Sequence, residues 1–246
     1  METLSVNIIT KNEESNIKRC LDSVSWTNEI IIIDSGSTDS TISICKEYTN
    51  NIYIEEWSNY AEQRNKALKK STCDWILVID ADEELTEDLI REIRSLLNSG
   101  ATNAGYMISM KNYIGDQWLK SKRFTPNYQL RLFKREGAYF HGAVHERVNI
   151  NGEIGMLKGV INHFTYKDLH DYLFKVNKYT TLEIQGKKVP KFLLYHLLVR
   201  PMLKFIHEYF FKKGYRNGWL GLTSSIFLVL YDYLIVAKLL ERENLK

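Results

Sequence analysis

Five short runs of β-branched and aliphatic residues, each followed by a stretch of different periodicity, fill the first 110 positions and restrict the fold more than any other feature. The runs are Leu4 to Thr10, Ile30 to Asp34, Ile52 to Glu55, Trp75 to Asp80 and Ala104 to Met110. Helical patterns fall between them near 14–25, 39–48, 59–70 and 86–98. Strands that alternate with helices in this way are the signature of βαβ units around a mostly parallel sheet. From about 111 to 164 the pattern changes to shorter aromatic and charged runs punctuated by Gly115, Gly137, Gly142, Gly152, Gly155 and Gly159. This predicts a loop-rich region with short strands, the second wall of a cleft. From Asp168 onward helical spacing returns, with Leu169, Tyr172, Leu173 and Val176 on one face.

At 246 residues the chain can bury one substantial core, or a core plus an appended subdomain. Cys20, Cys45 and Cys73 are odd in number, far apart and without C-x-x-C spacing. They favour a reducing compartment and supply no disulfide or zinc framework. "METLSVNIITKNEE" lacks the basic n-region and long apolar stretch of a secretory signal, so a cytosolic chain is expected. A net charge of +3 gives no reason to expect nucleic acid as a partner.

The fourth run continues into a cluster of acids, "DWILVIDADEELT", with Asp80, Asp82, Glu83 and Glu84 in five positions. Helix capping accounts for the residues after the cluster. Thr86 suits an N-cap, Glu87 and Asp88 fall in the first turn, and Leu89, Ile90, Ile93, Leu96 and Leu97 repeat at helical spacing. Asp80 and Asp82 lie outside that account. They stand where a strand stops, and in an open α/β sheet the crevice beyond the carboxyl ends of the strands is where ligands bind. Two carboxylates one residue apart repel each other unless a cation intervenes, and hard oxygen ligands suit Mg²⁺ or Mn²⁺. A solvated acidic turn is the other reading.

Two further strands deliver polar groups to the same edge, in "NIITKNEES" and "IIIIDSGSTDST". The second is good turn and capping chemistry in itself. As an ordered set, "TKNEESNI", "IIDSGSTDST", "YAEQRNKAL" and "WILVIDADEELT" resemble an inverting family 2 glycosyltransferase with the nucleotide-diphospho-sugar (GT-A) fold. The later "RLFKREGAYFHGAVHERV" and "INHFTY" resemble the bacterial branch that includes lipopolysaccharide inner-core β-1,4-glucosyltransferases. The resemblance implies an α/β, Rossmann-like, mostly parallel mixed sheet. It also implies a catalytic domain over 1–165, with a nucleotide-binding half, 1–110, and an acceptor half, 111–165. A helical, membrane-facing extension, 166–246, would follow.

Carried over residue by residue, the resemblance implies that Thr10, Asn12 and Glu13 line a nucleoside pocket, with Asp34 accepting from the uracil edge. Arg64 would approach the nucleotide, although an arginine on an amphipathic helix is ordinarily a surface group. In "DAD", Asp80 and Ala81 would face the donor, Asp80 would also reach the metal's outer shell, and Asp82 would ligate the metal directly. The metal would neutralise charge on the departing diphosphate. Inversion needs a base opposite the leaving group, and Glu146 is expected to serve, since an ordinary glutamate is ionised at neutral pH. A surface glutamate paired with Arg147 or Arg131 is the structural alternative, and His145 the rival base. His163 would return to the metal or diphosphate, with His141 as its competitor, unless it is simply a satisfied core group.

Between Lys187 and Arg216, eight basic residues (Lys187, Lys188, Lys191, Arg200, Lys204, Lys212, Lys213 and Arg216) interleave with aromatic and aliphatic ones, against Glu208 as the single acid. That pattern suits a helix lying in an anionic membrane interface, bent or interrupted at Pro201. Trp219 to Leu240 approaches the length of a spanning helix, but Asp232 and Lys238 count against a span and favour a peripheral hairpin. The expected activity is transfer of a hexose, glucose from UDP-glucose first, onto a lipid-linked saccharide such as lipopolysaccharide core, at the cytoplasmic face of the membrane. A polyprenyl phosphate is the alternative acceptor. A sugar nucleotidyltransferase would need a Gly-rich phosphate loop near the first strand, and "TKNEESNI" has no glycine. A catalytically silent membrane adaptor keeping the fold is the reading from another class.

Overall fold

The computed structural model describes residues 2–120, 127–142 and 146–244. The chain packs as two compact units, one of residues 1–111 with 127–163 and one of 112–126 with 164–246. The α/β expectation holds. In the first unit, β1 (Leu4–Thr10), β2 (Glu29–Asp34), β3 (Ile52–Ile54) and β4 (Trp75–Asp80) lie in the order β3-β2-β1-β4, all parallel. Between them run α1 (Ile17–Val24), α2 (Thr41–Cys45) and α3 (Tyr60–Lys70). Register then decides what meets at the carboxyl edge: Thr10 stands opposite Asp34, and Ile9 opposite Asp80.

Beyond β4 the sheet turns antiparallel. After β5 (Glu83–Leu85) and α4 (Glu87–Ser99) come β6 (Gly105–Ile114), β7 (Gln117–Trp118) and β8 (Asn127–Lys134). A separate hairpin comes next, β9 (Tyr139–His141) with β10 (Arg147–Asn149), and then β11 (Ile154–Tyr166). The sheet order continues β4-β8-β6-β11-β5, with β7 on β6. The described residues of 111–164 are therefore not the loop-rich region expected. β8 has eight residues and β11 thirteen, and both complete the main sheet. Gly159 misled because it lies inside β11: a Cβ there would meet the Leu89 Cα at 2.5 Å, so close packing against α4 requires a glycine and no turn is needed.

The elements form for local reasons. α1 buries Ile17, Cys20, Leu21 and Val24, one face at i, i+3, i+4 and i+7. Thr86 caps α4 by accepting from the Leu89 N–H, and Leu89, Ile93 and Leu97 are its buried face. These faces close over Leu4, Val6, Ile8, Leu77 and Ile79 in the largest core cluster. The opposite side of the sheet buries Ile31 and Ile33 against Ala67 of α3, and Ile76, Val78 and Phe133 against Ala61 and Phe140. Each such side chain contributes about 1.5–3 kcal/mol by leaving water, which gives the carboxyl edge a rigid base.

The second unit is mainly helical. α5 (Leu169–Glu183) is capped by Asp168, which accepts from the Asp171 N–H. Its buried face is Tyr172, Val176 and Thr180, whereas Leu173, expected beside them, is exposed. That face packs with Ile114, Leu119 and Leu220, the last from α7 (Gly218–Asn244). Between them α6 (Arg200–Ile206) lies within a helical run, flanked by π-helical turns at Tyr195–Val199 and His207–Phe211. Pro201 falls in the first turn of α6, so its effect is a change of helix type. The wider turn before it tolerates a residue without an N–H.

Candidate active site

The loops after β1 and β2 are stitched to each other. Asn12, at φ 56°, accepts from the Thr38 N–H at 2.8 Å, and its own N–H donates to Ser37 Oγ at 2.8 Å. The Glu13 N–H donates to Thr41 Oγ1 at 2.8 Å. Asp34 is fully buried, and its Oδ1 accepts from the N–H groups of Gly36 and Ser37 at 2.8 and 2.7 Å. Gly36, at φ 83°, supplies the left-handed residue that this turn needs. Asp34 thus holds the shape of its own loop. Thr10 Oγ1 is buried beside it without a hydrogen-bond partner among the described residues, a group available to a ligand.

The four acids from the end of β4 onward each find a partner. Asp80 Oδ1 accepts from Arg64 Nη2 at 2.8 Å, and Oδ2 from Arg131 Nη2 at 3.2 Å. Burial opposes its ionisation, but the two guanidiniums outweigh this and hold the carboxyl well below the usual carboxylate range. Ala81 is buried next to it. Asp82 Oδ2 lies 3.3 Å from Nε2 of His163. Glu83 is fully buried and takes Arg131 Nη2 at 2.8 Å. Glu84 accepts from Asn162 Nδ2 at 3.3 Å. The solvated acidic turn is not what forms.

Glu146 lies just before β10, and its Oε1 accepts from Arg64 Nε at 3.0 Å. Arg64 therefore bridges Glu146 and Asp80, and neither Arg147 nor Arg131 is Glu146's partner. The next residue on α3 explains how a hairpin distant in sequence is held there. Asn65 Nδ2 donates to the Phe140 carbonyl at 2.9 Å, and its Oδ1 accepts the Phe140 N–H at 2.8 Å. One turn of α3 thus fixes both the hairpin and the glutamate. Arg64 Nη1 is buried without a partner among the described residues, a charged donor left for a ligand.

Four carboxylates (Asp80, Asp82, Glu83 and Glu146) face two guanidiniums, and the surplus negative charge is felt by its neighbours. Burial pushes the Glu83 carboxyl up to about 7, against the pull of Arg131 and with the repulsion of Asp80. Burial also opposes a charged His163, yet the hydrogen bond and charge of Asp82 outweigh it and raise the imidazole above its ordinary value. A divalent cation fits this surplus. Asp82 and His163, 3.3 Å apart, would hold such a cation, with its remaining ligands drawn from substrate and water. Asp80 has both oxygens given to arginines.

Of the residues expected at a site, the structure joins Arg64, Asp80 and Glu146 in one set of contacts and Asp82 with His163 in a second, with Thr10, Asn12, Glu13 and Asp34 at the ends of β1 and β2 and in the loops that follow them. His141 is exposed on β9, and His145 lies outside the described residues. Sequence reasoning missed Glu83, Arg131 and Asn65. Adjacency to Arg64 in "EQRN" and to "DAD" was the available signal for two of them, whereas Arg131 reaches the site only because β8 pairs with β4.

The carboxyl edge of the sheet thus gathers acids and buried arginines beside paired loops, and the chain's relatives are glycosyltransferases. Residues 5–163 match the model for glycosyl transferase family 2, and the chain belongs to that family. It is similar to an uncharacterized glycosyltransferase of Rickettsia typhi, 33% identical over 98% of this chain and 88% of the relative. It is also similar to LpsC, a lipopolysaccharide core biosynthesis glycosyltransferase of Rhizobium meliloti, 31% identical over 99% of this chain and 94% of that protein. Among solved structures, S. aureus TarS 1-349 is a looser likeness, 16% identical with a TM-score of 0.48 over 96% of this chain and 82% of that one.

Proposed function

We propose that this glycosyltransferase moves a hexose from a UDP-sugar, UDP-glucose first, onto a lipid-linked saccharide such as lipopolysaccharide core, with inversion and with a divalent metal. The observation that carries the reading is Arg64, which ties the nucleotide-side carboxylate Asp80 to Glu146. Similarity to LpsC along the whole chain supports the acceptor class. In this reading Thr10, Asn12, Glu13 and Asp34 form the nucleoside pocket, and Arg64 turns its Nη1 to the diphosphate. Asp80 and Ala81 face the donor. Asp82 and His163 would hold Mg²⁺ or Mn²⁺, which when bound neutralises charge on the leaving diphosphate. Glu146, held by Arg64 through Oε1, takes the acceptor hydroxyl's proton on Oε2. The acceptor oxygen bonds to the anomeric carbon as the carbon–oxygen bond to UDP breaks.

The second unit supports work at a membrane surface. Phe192, Leu194, Leu198 and Phe211 are each at least 66% exposed, and Lys191, Lys212, Lys213 and Arg216 stand among them. Asp232 is paired to Lys204 and Arg200, and Lys238 donates to the Asn177 carbonyl and to Thr180 and Thr181, so neither of these two charges in α7 is left bare. Gly214–Asn244 is long and apolar enough to cross a membrane by length and composition. Its internal pairing fits a peripheral enzyme on the cytoplasmic face. Release of UDP or GDP from a panel of nucleotide sugars, with deacylated lipopolysaccharide core or polyprenyl phosphate as acceptor, tests the whole reading. Turnover with core establishes it, turnover only with polyprenyl phosphate moves the acceptor, and no turnover with any pair leaves a silent adaptor.

A further inference from the structure

Asp80 is held on three sides, and two of the three holders lie outside the set that sequence motifs suggest. Arg131 Nη2 donates to Asp80 Oδ2 at 3.2 Å and to Glu83 Oε1 at 2.8 Å, while Glu83 Oε2 accepts the Asp80 N–H at 2.8 Å. The three residues close a ring: the guanidinium fixes the Asp80 side chain, the glutamate fixes its backbone, and the two are bonded to each other. Arg131 comes from β8 and Glu83 from β5, so distant parts of the sheet converge on the last residue of β4.

Stability alone is a poor reason for this ring. Arg131 is 4% exposed and Glu83 fully buried, and well-packed apolar residues in place of a buried ion pair are often as stable or more so. Arg131 Nε is also buried without a partner among the described residues, a further cost. What an apolar replacement would lose is geometry. Asp82 and Glu83 repel the Asp80 carboxylate, and a flexible side chain at a strand end would turn away from them. A planar guanidinium with fixed donors holds it in one orientation.

We propose that Arg131 and Glu83 are positioning residues that clamp Asp80, and so set the donor site in its binding geometry. The proposal rests on the donor-site reading above. Its test uses the full chain, with UDP and Mn²⁺ as the probe in calorimetry and with thermal melting alongside. Arg131→Lys keeps the charge and loses the fork, so the dissociation constant of UDP with Mn²⁺ should rise about 10–100-fold, the usual worth of a supporting hydrogen bond at such a site, while melting stays close to that of the unaltered chain. Glu83→Gln keeps size and one acceptor, so it serves as a second variant if the lysine fails to fold, and about a tenfold rise is expected. A folded variant of either kind that binds UDP as the unaltered chain does overturns the clamp, as does a loss wholly matched by a fall in folded fraction. Failure of the unaltered chain to bind UDP with Mn²⁺ overturns the donor-site reading and the clamp together; normal binding there with unaffected variants overturns the clamp alone.

Discussion

The carboxyl edge of the sheet and the basic helical run of the second unit treat charge in opposite ways. At the edge, Arg64, Arg131 and Glu83 are buried, Arg64 paired with Asp80 and Glu146 and Arg131 with Asp80 and Glu83. In the run, Phe192, Leu194 and Phe211 are exposed, with Lys191 exposed and Lys212 and Lys213 half-buried in the same stretch. A folded chain normally buries the second kind and exposes the first. In the proposed reading each inversion has a use: buried ions whose Nη1 and Nε donors lack a partner among the described residues suit a charged ligand, and an exposed apolar face with cations suits a lipid surface.

The largest expected effect breaks the edge's half of that comparison. Glu146→Gln can still accept from Arg64 Nε but cannot take a proton, so acceptor-dependent turnover should fall by about 10²–10⁴, with UDP affinity and melting near normal. Near-normal transfer by a stable variant would eliminate Glu146 and bring His145 forward. In the helical run, Lys191, Lys212, Lys213 and Arg216 together changed to Gln should cut partition onto anionic vesicles by roughly 10²–10³, at about 1 kcal/mol for each charge near the surface. The structure directs this choice, since Lys204 is already paired with Asp232 at 2.8 Å. Co-sedimentation indifferent to both the substitutions and high salt would remove the electrostatic account. Asp82→Asn returns to the edge with an effect on UDP affinity in Mn²⁺ of about 100-fold, as outer-shell partners alone are worth about 10–100-fold. Equal UDP affinity in Mn²⁺ and in EDTA would exclude the metal reading.

The two regions are not equally legible in the sequence. β1 and β4 can be read to the residue, because β-branched runs bounded by polar loops leave little choice. Thr86, Glu87 and Leu89 mark the start of α4 in the same local way. Local signals fail where partners are remote. β11 looks like loop because Gly159 reads as a breaker until Leu89 is seen against it. Glu83 looks like a turn acid because its partner, Arg131, is 48 positions away. In the second unit Leu173 obeys the helical spacing yet is exposed, since the packing partners of α5 are drawn from Leu119 and Leu220, and spacing alone could not choose which stripe they cover.

The smallest expected effect is the sharpest test of the helical run, because it requires a large hydrophobic residue to matter little for folding. Leu77, fully buried on β4 between β1 and β8, sets the scale: Leu77→Ala should cost about 2–5 kcal/mol. Phe192 is 76% exposed, so Phe192→Ser removes a larger side chain that folding has scarcely taken from water. Its effect on unfolding free energy should stay within about 0.5 kcal/mol, the range of an ordinary surface substitution, while binding to anionic vesicles weakens. Denaturant unfolding and vesicle co-sedimentation on the same preparation separate the two quantities. A loss near that of Leu77→Ala would mean that protein covers Phe192 in solution, and the membrane-facing account of this surface would fail; unchanged stability with unchanged vesicle binding would move the contact away from Phe192 to the remaining exposed residues, Leu194, Leu198 and Phe211.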